Sequence, residues 1–171
     1  MPGTLIFLCG LPFAGKSTLA RVLVARTGAT YIALDAVNSE RGVGLNGSAI
    51  TPAQWDASYA EVYRRLEEAL LAGERVVYDE TCFLRAQRDA IRAIAGRAEA
   101  SAQLIWVTVP EAIARARWLA NRQSGERYDV RDEDFAQVVT RFAAPTPDEK
   151  PLRYDGSIPA EEWLAMVDLW A

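Results

Sequence analysis

Two glycines, a lysine and a hydroxyl group stand close together near the start of the chain. Residues 10–17 read Gly-Leu-Pro-Phe-Ala-Gly-Lys-Ser, which fits the pattern G-x-x-x-x-G-K-[ST] at every defined position. In this pattern Gly10 and Gly15 let the backbone curl, so that successive N–H groups surround a polyphosphate. Lys16 would reach the β- and γ-phosphates, and the Ser17 hydroxyl would ligate Mg²⁺. The spacing therefore predicts a loop that binds a nucleoside triphosphate, ATP or GTP, together with Mg²⁺.

The residues on both sides of this loop are those that its chemistry requires. Residues 4–9 form a short, unbroken apolar run, as expected of a buried parallel strand. After the loop, Leu19, Val22 and Leu23 recur at helical spacing, which predicts a helix whose N-terminal end attracts anions. The predicted nucleotide-binding set is the loop with the residue that follows it: Gly10, Leu11, Pro12, Phe13, Ala14, Gly15, Lys16, Ser17 and Thr18.

Strands and helices alternate through the rest of the chain. Apolar runs predict strands at 31–34, 75–78, 102–109 and 152–154. Helical spacing predicts helices at 52–71, 84–95, 110–121, 132–142 and 159–170, and a loop rich in Gly and Asn is expected over 39–48. Such alternation predicts an α/β fold, a five-stranded parallel sheet with helices on both faces, formed as a single domain over residues 1–171.

Acidic side chains follow two of the predicted strands. The carboxyl ends of parallel strands meet at one edge of a sheet, so Asp35 and Asp79 should lie beside the phosphate loop. Asp79 ends an apolar strand and is predicted to hold Mg²⁺ or its water shell, the alternative being a cap of the next turn. Asp35 is the candidate base for a substrate hydroxyl, unless it is an exposed turn residue. Glu80 is the reserve acid, expected to point away from Asp79 if the strand continues.

Five arginines lie between residues 115 and 131, from the helix predicted at 110–121 into the polar stretch that follows it. Arginine near a reacting γ-phosphate neutralises the charge that builds up there. Residues 115–131 are therefore predicted to form a short arginine-bearing lid, in which at least one of Arg117 and Arg122 contacts the nucleotide. The alternative for each arginine is a solvated helix face paired with nearby acids. The five are Arg115, Arg117, Arg122, Arg127 and Arg131.

Aromatic residues recur every four positions along the helix predicted at 52–71. The default interpretation of Trp55, Tyr59 and Tyr63 is core packing. The alternative is that the upper part of the stripe lines an acceptor pocket next to Asp35, because Tyr and Trp combine an apolar body with a polar tip. On the helix at 84–95, a row of arginines is interpreted as a solvated face, the weaker alternative being contact with an anionic acceptor: Arg85, Arg88 and Arg92.

Composition excludes several classes of function. The chain has no histidine, which rules out histidine-based catalysis and histidine metal sites. A net charge of −4 gives no support for a nucleic-acid surface. Cys9 and Cys82 match no metal spacing and are expected to be reduced thiols of a cytoplasmic protein. No apolar run reaches the roughly 18 residues that a membrane span needs, so no membrane association is expected.

Four parts of the sequence together resemble a group of small P-loop kinases. They are residues 10–20, Asp35, residues 77–81 and residues 141–145. The group is related to the kinase half of polynucleotide kinase and to gluconate-kinase-like, zeta-toxin and chloramphenicol-phosphotransferase-like enzymes. The resemblance covers nearly the whole chain and implies the P-loop NTPase fold of the nucleoside-monophosphate-kinase type.

The resemblance also implies roles for individual residues. Asp35 would be the catalytic base, and Arg122, together with Arg117, would be the lid arginine at the nucleotide; with Lys16 of the loop, Asp35 and Arg122 form the predicted catalytic set. The chain departs from the group at two positions. Asn38 stands where polynucleotide kinase has an arginine three residues after its base, with Arg41 further on, and Phe13 occupies a position where the group usually has glycine or another small residue. The predicted substrate-binding residues are Asp35, Asn38, Arg41, Trp55 and Tyr59.

Taken together, these patterns predict a Mg²⁺-dependent phosphotransferase that moves the γ-phosphate of ATP or GTP to a hydroxyl of a small molecule. The acceptor would be a sugar, a nucleoside or an antibiotic, and an antibiotic-inactivating kinase is one form of this hypothesis. The alternative within enzymes is a polynucleotide 5′-hydroxyl kinase. The alternative from another class is a regulatory module that binds or hydrolyses nucleoside triphosphates.

Overall fold

The computed structural model describes residues 1–44, 48–125 and 130–169. The strands are β1 (Thr4–Cys9), β2 (Thr30–Ala33), β3 (Arg75–Asp79), β4 (Ser101–Val107) and β5 (Leu152–Tyr154). The helices are α1 (Lys16–Thr27), α2 (Leu34–Glu40), α3 (Pro52–Leu71), α4 (Arg85–Arg97), α5 (Glu111–Ser124), α6 (Asp132–Arg141) and α7 (Ala160–Met166), with one 3₁₀ turn at Pro147–Glu149.

The five strands form one parallel sheet in the order β2-β3-β1-β4-β5. The central strand β1 pairs with β3 from Thr4 opposite Arg75 and with β4 from Thr4 opposite Ser101. Both faces of β1 are covered by helices, which is why its sequence is an unbroken apolar run. The prediction of a five-stranded parallel sheet is confirmed.

Alternate side chains of the sheet pack into two separate apolar layers. On one face Phe7 and Tyr78 pack with Val62 and Leu66 of α3 and with residues of α4. On the other face Ile6, Leu8 and Val77 pack with α1 and α7. This alternation places Asp79, two residues after Val77, on the α1 side of the sheet.

The structure differs from the prediction just after β2. The predicted strand at 31–34 ends one residue earlier, and α2 covers the end of this predicted strand and the start of the predicted loop at 39–48. Asp35 consequently lies in the first turn of a helix, where a carboxylate interacts favourably with the helix dipole. The last helix also ends earlier than predicted, at Met166, and residue 170 lies outside the described residues.

The interpretation of the α4 arginines as a solvated face is wrong for Arg88. Its side chain is fully buried and donates two hydrogen bonds to the Glu149 carboxylate, at 2.7 and 2.9 Å, and one to the carbonyl of Cys82 at 2.9 Å. Arg92 adds a 3.0 Å bond to the same carboxylate, whereas Arg85 is exposed and pairs with acids at the surface. The buried pair ties α4 to the 3₁₀ turn that precedes β5.

None of the helices in the described parts of the chain has the length and apolar character needed to cross a bilayer.

Candidate active site

A cleft of about 530 Å³ opens at the carboxyl ends of β1, β2 and β3. Its walls come from the loop after β1, from α2, α3 and α6, and from the segment that follows β3. The lining residues discussed below are Phe13, Lys16, Ser17, Asp35, Asn38, Ile50, Trp55, Tyr59, Asp79, Glu80, Phe83, Gln87, Asp134, Gln137 and Val138.

The loop after β1 has the backbone that a phosphate cradle needs. Gly10 and Gly15 have φ angles of 155° and 102°, and a Cβ atom on Gly10 would lie 2.7 Å from the carbonyl oxygen of Val107. Glycine is therefore required at position 10 by space as well as by conformation. Nζ of Lys16 donates a 2.8 Å hydrogen bond to the carbonyl of Leu11, which holds the ammonium group over the loop.

Phe13 adopts a left-handed backbone conformation within the same loop, with a φ of 60°. Side chains with a Cβ atom pay a steric cost there that glycine does not. This conformation explains why glycine suits the position, one of the residues that the family resemblance implies there. The Phe13 side chain lies between the main cleft and a second cavity, and it lines both.

The three acids predicted near the loop line the same cleft. Asp35 is solvent-accessible as a residue, but the surrounding protein desolvates its carboxyl, and this raises its pKa. The negative charge of Asp79 raises the pKa further, whereas the positive charge of Lys16 lowers it. Asp79 is buried and accepts a hydrogen bond from the Tyr31 hydroxyl. Glu80 also lines the cleft, and its carboxylate accepts 2.6 Å bonds from the Thr81 hydroxyl and the Cys82 N–H.

The side chains of Ser17 and Asp79, at the predicted metal position, can supply part of the ligand set of Mg²⁺. Ser17 is the second residue of α1, and Asp79 is the last residue of β3, on the α1 side of the sheet. A hydroxyl and a carboxylate therefore line the same cleft. Within the described segments no group of three acidic or sulfur-bearing side chains could hold a metal ion by itself. This donor set suits a hard cation that takes its remaining ligands from phosphates and water, as Mg²⁺ does.

The aromatic stripe of α3 contacts both the apolar core and the cleft. Trp55, Tyr59 and Tyr63 pack against the apolar layer under α3, with neighbouring ring centroids 6.1 and 5.9 Å apart. The first two also line the cleft, and the Tyr59 hydroxyl accepts a 2.9 Å hydrogen bond from Gln87. Asn38 lines the cleft beside them, whereas Arg41 is exposed beyond the end of α2 and does not line it.

The two predicted lid arginines have different surroundings. Arg117 of α5 donates hydrogen bonds to the carbonyls of Phe13 and Ala14, at 3.4 and 3.2 Å, and lines the second cavity of about 380 Å³. Arg122 pairs with Asp132, donates to the carbonyl of Val130 and lies 4.3 Å from the centroid of the Trp118 ring. It lines neither cavity, and its contact with the nucleotide stays a prediction. Arg127 lies outside the described residues.

Sequence reasoning missed the contribution of α6 to the cleft. Asp134, Gln137 and Val138 line it, and α6 is held against α5 by stacking of Phe135 on Trp118, with centroids 4.4 Å apart. The spacing of 134, 137 and 138 is the signal that could have located this helix face.

The P-loop, the parallel sheet and the cleft at its carboxyl edge define a P-loop kinase-like protein. A family model described as an AAA domain matches residues 5–145, and the chain belongs to this family. No curated protein matches the sequence.

Three solved structures illustrate the shared fold. A candidate kinase from Chloroflexus aurantiacus is 18% identical with a TM-score of 0.78, and the match covers 97% of this chain and 98% of that one. Kti12 from Chaetomium thermophilum, solved with ADP-AlF₃, is 20% identical with a TM-score of 0.75, covering 96% and 100%. A sugar kinase from Janibacter sp. is 18% identical with a TM-score of 0.72, covering 96% and 92%. At these identities the likeness establishes the fold.

Proposed function

We propose that the protein transfers the γ-phosphate of ATP or GTP to a hydroxyl group of a small molecule. The observation that supports this most directly is that Lys16, Ser17 and Asp35 line one cleft with an aromatic outer wall. A phosphate loop alone is compatible with a nucleotide switch. A carboxylate beside the loop, facing a cavity large enough for a second substrate, favours transfer to an acceptor.

Each lining residue has a task in this proposal. Lys16 exchanges its bond to the Leu11 carbonyl for the β- and γ-phosphates, and the loop N–H groups hold the same oxygens. Ser17 and Asp79 hold Mg²⁺, which when bound offsets the phosphate charge. Asp35 accepts a hydrogen bond from the acceptor hydroxyl and orients its oxygen toward the γ-phosphate.

The nucleoside would extend toward the second cavity, under Arg117. This cavity shares Phe13 and Gly15 with the loop and continues to Asn121 and Tyr154. The acceptor would occupy the outer part of the main cleft, against Trp55 and Tyr59. A sugar, a nucleoside or an antibiotic of similar size fits a cavity of about 530 Å³ beside the phosphates.

The test is release of nucleoside diphosphate from ATP and GTP with Mg²⁺, with and without a panel of sugars, nucleosides and antibiotics. We expect release to depend on one class of acceptor and to fall at least about 10²-fold in Lys16→Ala, because a major phosphate contact is removed. Lys150→Gln, at the other lysine of the chain, is the matched control and should retain full activity.

Two results would contradict this proposal, and each would favour a different function. Release at the same rate without any acceptor would indicate a nucleotide hydrolase or regulatory module. Labelling of oligonucleotides with 5′-hydroxyl ends, falling steeply as salt rises, would indicate a polynucleotide kinase, because such binding depends on several phosphate contacts.

A further inference from the structure

Phe13 has a backbone conformation in the phosphate loop that would suit glycine better. Residues 11–14 form a tight turn, in which the N–H of Ala14 donates a 3.2 Å hydrogen bond to the carbonyl of Leu11. Pro12 stands at the second position of this turn and Phe13 at the third, with a φ of 60°. In turns with proline second and a positive φ third, the third residue is usually glycine. The chain therefore keeps a large side chain where its backbone favours none.

The Phe13 ring does not contribute to the core of the protein. Neither of the two apolar layers of the described fold includes it, and the residue is partly exposed. Phe13 lines the main cleft and the second cavity instead. Backbone strain that serves no core packing is typical of functional sites, where the surrounding structure holds the strained conformation in place.

Arg117 holds the strained turn from the side of the second cavity. Its guanidinium donates to the carbonyls of Phe13 and Ala14, at 3.4 and 3.2 Å, and a Cβ atom on Gly15 would lie 3.6 Å from the same guanidinium. The backbone of Phe13 is thus restrained by the hydrogen bond within the turn and by α5. This double restraint keeps the ring at the boundary of the two cavities.

The triphosphate of the proposed reaction has to pass this boundary. Lys16 and Ser17 line the main cleft, where the γ-phosphate is placed, whereas Gly15 and Arg117 line the second cavity, toward which the nucleoside extends. Since Phe13 lines both cavities, its ring lies beside the terminal phosphates, at the point where the acceptor must approach them.

We propose that the Phe13 ring keeps water away from the γ-phosphate until an acceptor occupies the main cleft. This inference rests on the function proposed above and makes Phe13 the residue that favours transfer over hydrolysis. An apolar ring offers water no strong hydrogen bond, and Ile50, Phe83 and Val138 add further apolar surface to the same cleft. Exclusion of water from a reactive group suppresses its hydrolysis.

Transfer and hydrolysis differ in the attacking oxygen. In transfer the acceptor oxygen bonds to the γ-phosphorus, and the bond from that phosphorus to the β–γ bridging oxygen breaks. The nucleoside diphosphate leaves with the electron pair, and the hydroxyl proton passes to Asp35. In hydrolysis a water molecule takes the place of the acceptor, and the second product is inorganic phosphate. Water bound to the proposed Mg²⁺ stays with the metal in both reactions, so the Phe13 ring acts on the acceptor side.

The experiment measures release of inorganic phosphate from ATP or GTP with Mg²⁺ and no acceptor, over a range of nucleotide concentrations. Phe13→Ala removes the ring and should raise the maximal rate at least about fivefold, with a smaller change in KM. Phe13→Gly removes the ring and the strain together and should raise the rate by a similar factor. Phe13→Leu keeps an apolar side chain and should stay within about twofold of the unmodified protein.

Leu71→Ala is the control for the loss of an apolar side chain. Leu71 is exposed at the last position of α3, at the opposite end of this helix from Trp55 and the cleft, so acceptor-free release should not change. Thermal melts verify that every variant is folded. With an acceptor that stimulates release, the yield of phosphorylated product per nucleoside diphosphate should fall in Phe13→Ala and in Phe13→Gly.

Unchanged acceptor-free release in both ring-free variants overturns the inference, and so does a change confined to KM, which would assign the ring to nucleotide binding. An equal rise in Phe13→Leu overturns it as well, because an apolar side chain remains there. These results leave the kinase function standing when the unmodified protein transfers phosphate to an acceptor. Raised release in the ring-free variants, without transfer to any acceptor by the unmodified protein, overturns the kinase function instead.

Discussion

The hydroxyl of Tyr31 donates a 2.7 Å hydrogen bond to Oδ2 of Asp79. The two residues lie on neighbouring strands, diagonally placed, since Tyr31 pairs in register with Val77 and Asp79 with Ala33. Burial raises the pKa of Tyr31, and the charge of Asp79 raises it further, so the phenol stays a donor at neutral pH. The bond fixes the orientation of the carboxylate proposed to hold Mg²⁺.

Tyr31→Phe should therefore weaken the apparent affinity for Mg²⁺ in phosphoryl transfer. A hydrogen bond to a charged group is worth about 1.5–3 kcal/mol, so we expect a loss of about 10- to 100-fold, with metal-free nucleotide binding unchanged. The measurement is a Mg²⁺ titration of the rate at saturating nucleotide. Tyr63→Phe removes a tyrosine hydroxyl on α3 as the control. Equal losses with and without Mg²⁺ would show that Tyr31 acts on the loop in general.

Asp35→Asn should lower the rate of transfer by about 10²-fold or more while nucleotide affinity stays near normal. In the unmodified protein the rate should fall on acidification at a pH above the ordinary aspartate range, because the raised pKa makes the carboxyl protonate earlier. A carboxyl with a raised pKa costs stability once ionised, so Asp35→Asn should melt at the same temperature or higher. Normal transfer in this variant would move the role to Glu80.

The pair of Arg88 and Glu149 should control stability at low pH. Burial opposes the charge of Glu149, but hydrogen bonds from Arg88, from the Thr146 N–H and from Arg92 lower its pKa from 4.5 to about 2. A folded-state pKa below the unfolded value stabilises the fold above about pH 4.5, and this stability is lost as the pH falls toward 2. Thermal melts across this range measure the effect.

Removing one partner of this buried pair should be severe. Glu149→Gln leaves the Arg88 guanidinium buried without its counter-charge, and we expect a loss of about 3–5 kcal/mol in the free energy of unfolding. Glu67→Gln breaks the exposed pair with Arg97 and should cost less than about 1 kcal/mol. Similar losses in the two variants would contradict the distinction between buried and exposed pairs.

Phe13 allows a direct measurement of backbone strain in the phosphate loop. Phe13→Ala and Phe13→Gly both remove the ring, but only glycine relieves the left-handed conformation at a φ of 60°. Phe13→Gly should thus be more stable than Phe13→Ala by about 1 kcal/mol in denaturant unfolding. If the alanine variant is the more stable of the two, the loop changes conformation once the ring is absent.

The sequence predicted those parts of the fold that depend on residues close together in the chain, such as apolar runs and helix caps. The apolar runs located all five strands, and the bounds of α3 match the prediction because Pro52 follows a capping Thr51. Helix α2 was missed because it has seven residues, has no side-chain cap at its start, and follows β2 without a break.

The parts that sequence could not predict depend on distant partners. Arg88 is buried because Glu149 lies across from it, 61 positions further along the chain. The burial of Asn38 also reflects tertiary packing, since α2 contacts α3 and no local pattern encodes that contact. The side of the cleft formed by α6 likewise depends on how α6 stacks on α5 through Phe135.

The strand order has a consequence for how the protein is made. The neighbours of β1 in the sheet are β3 and β4, which begin at Arg75 and Ser101, so the strand that carries the phosphate loop has no partner among the first seventy residues. Synthesis must therefore pass β4, at Ser101–Val107, before the loop can be anchored on both sides. Until then its apolar strand lacks its sheet neighbours, so we expect truncations that end before β4 to fail to hold nucleotide.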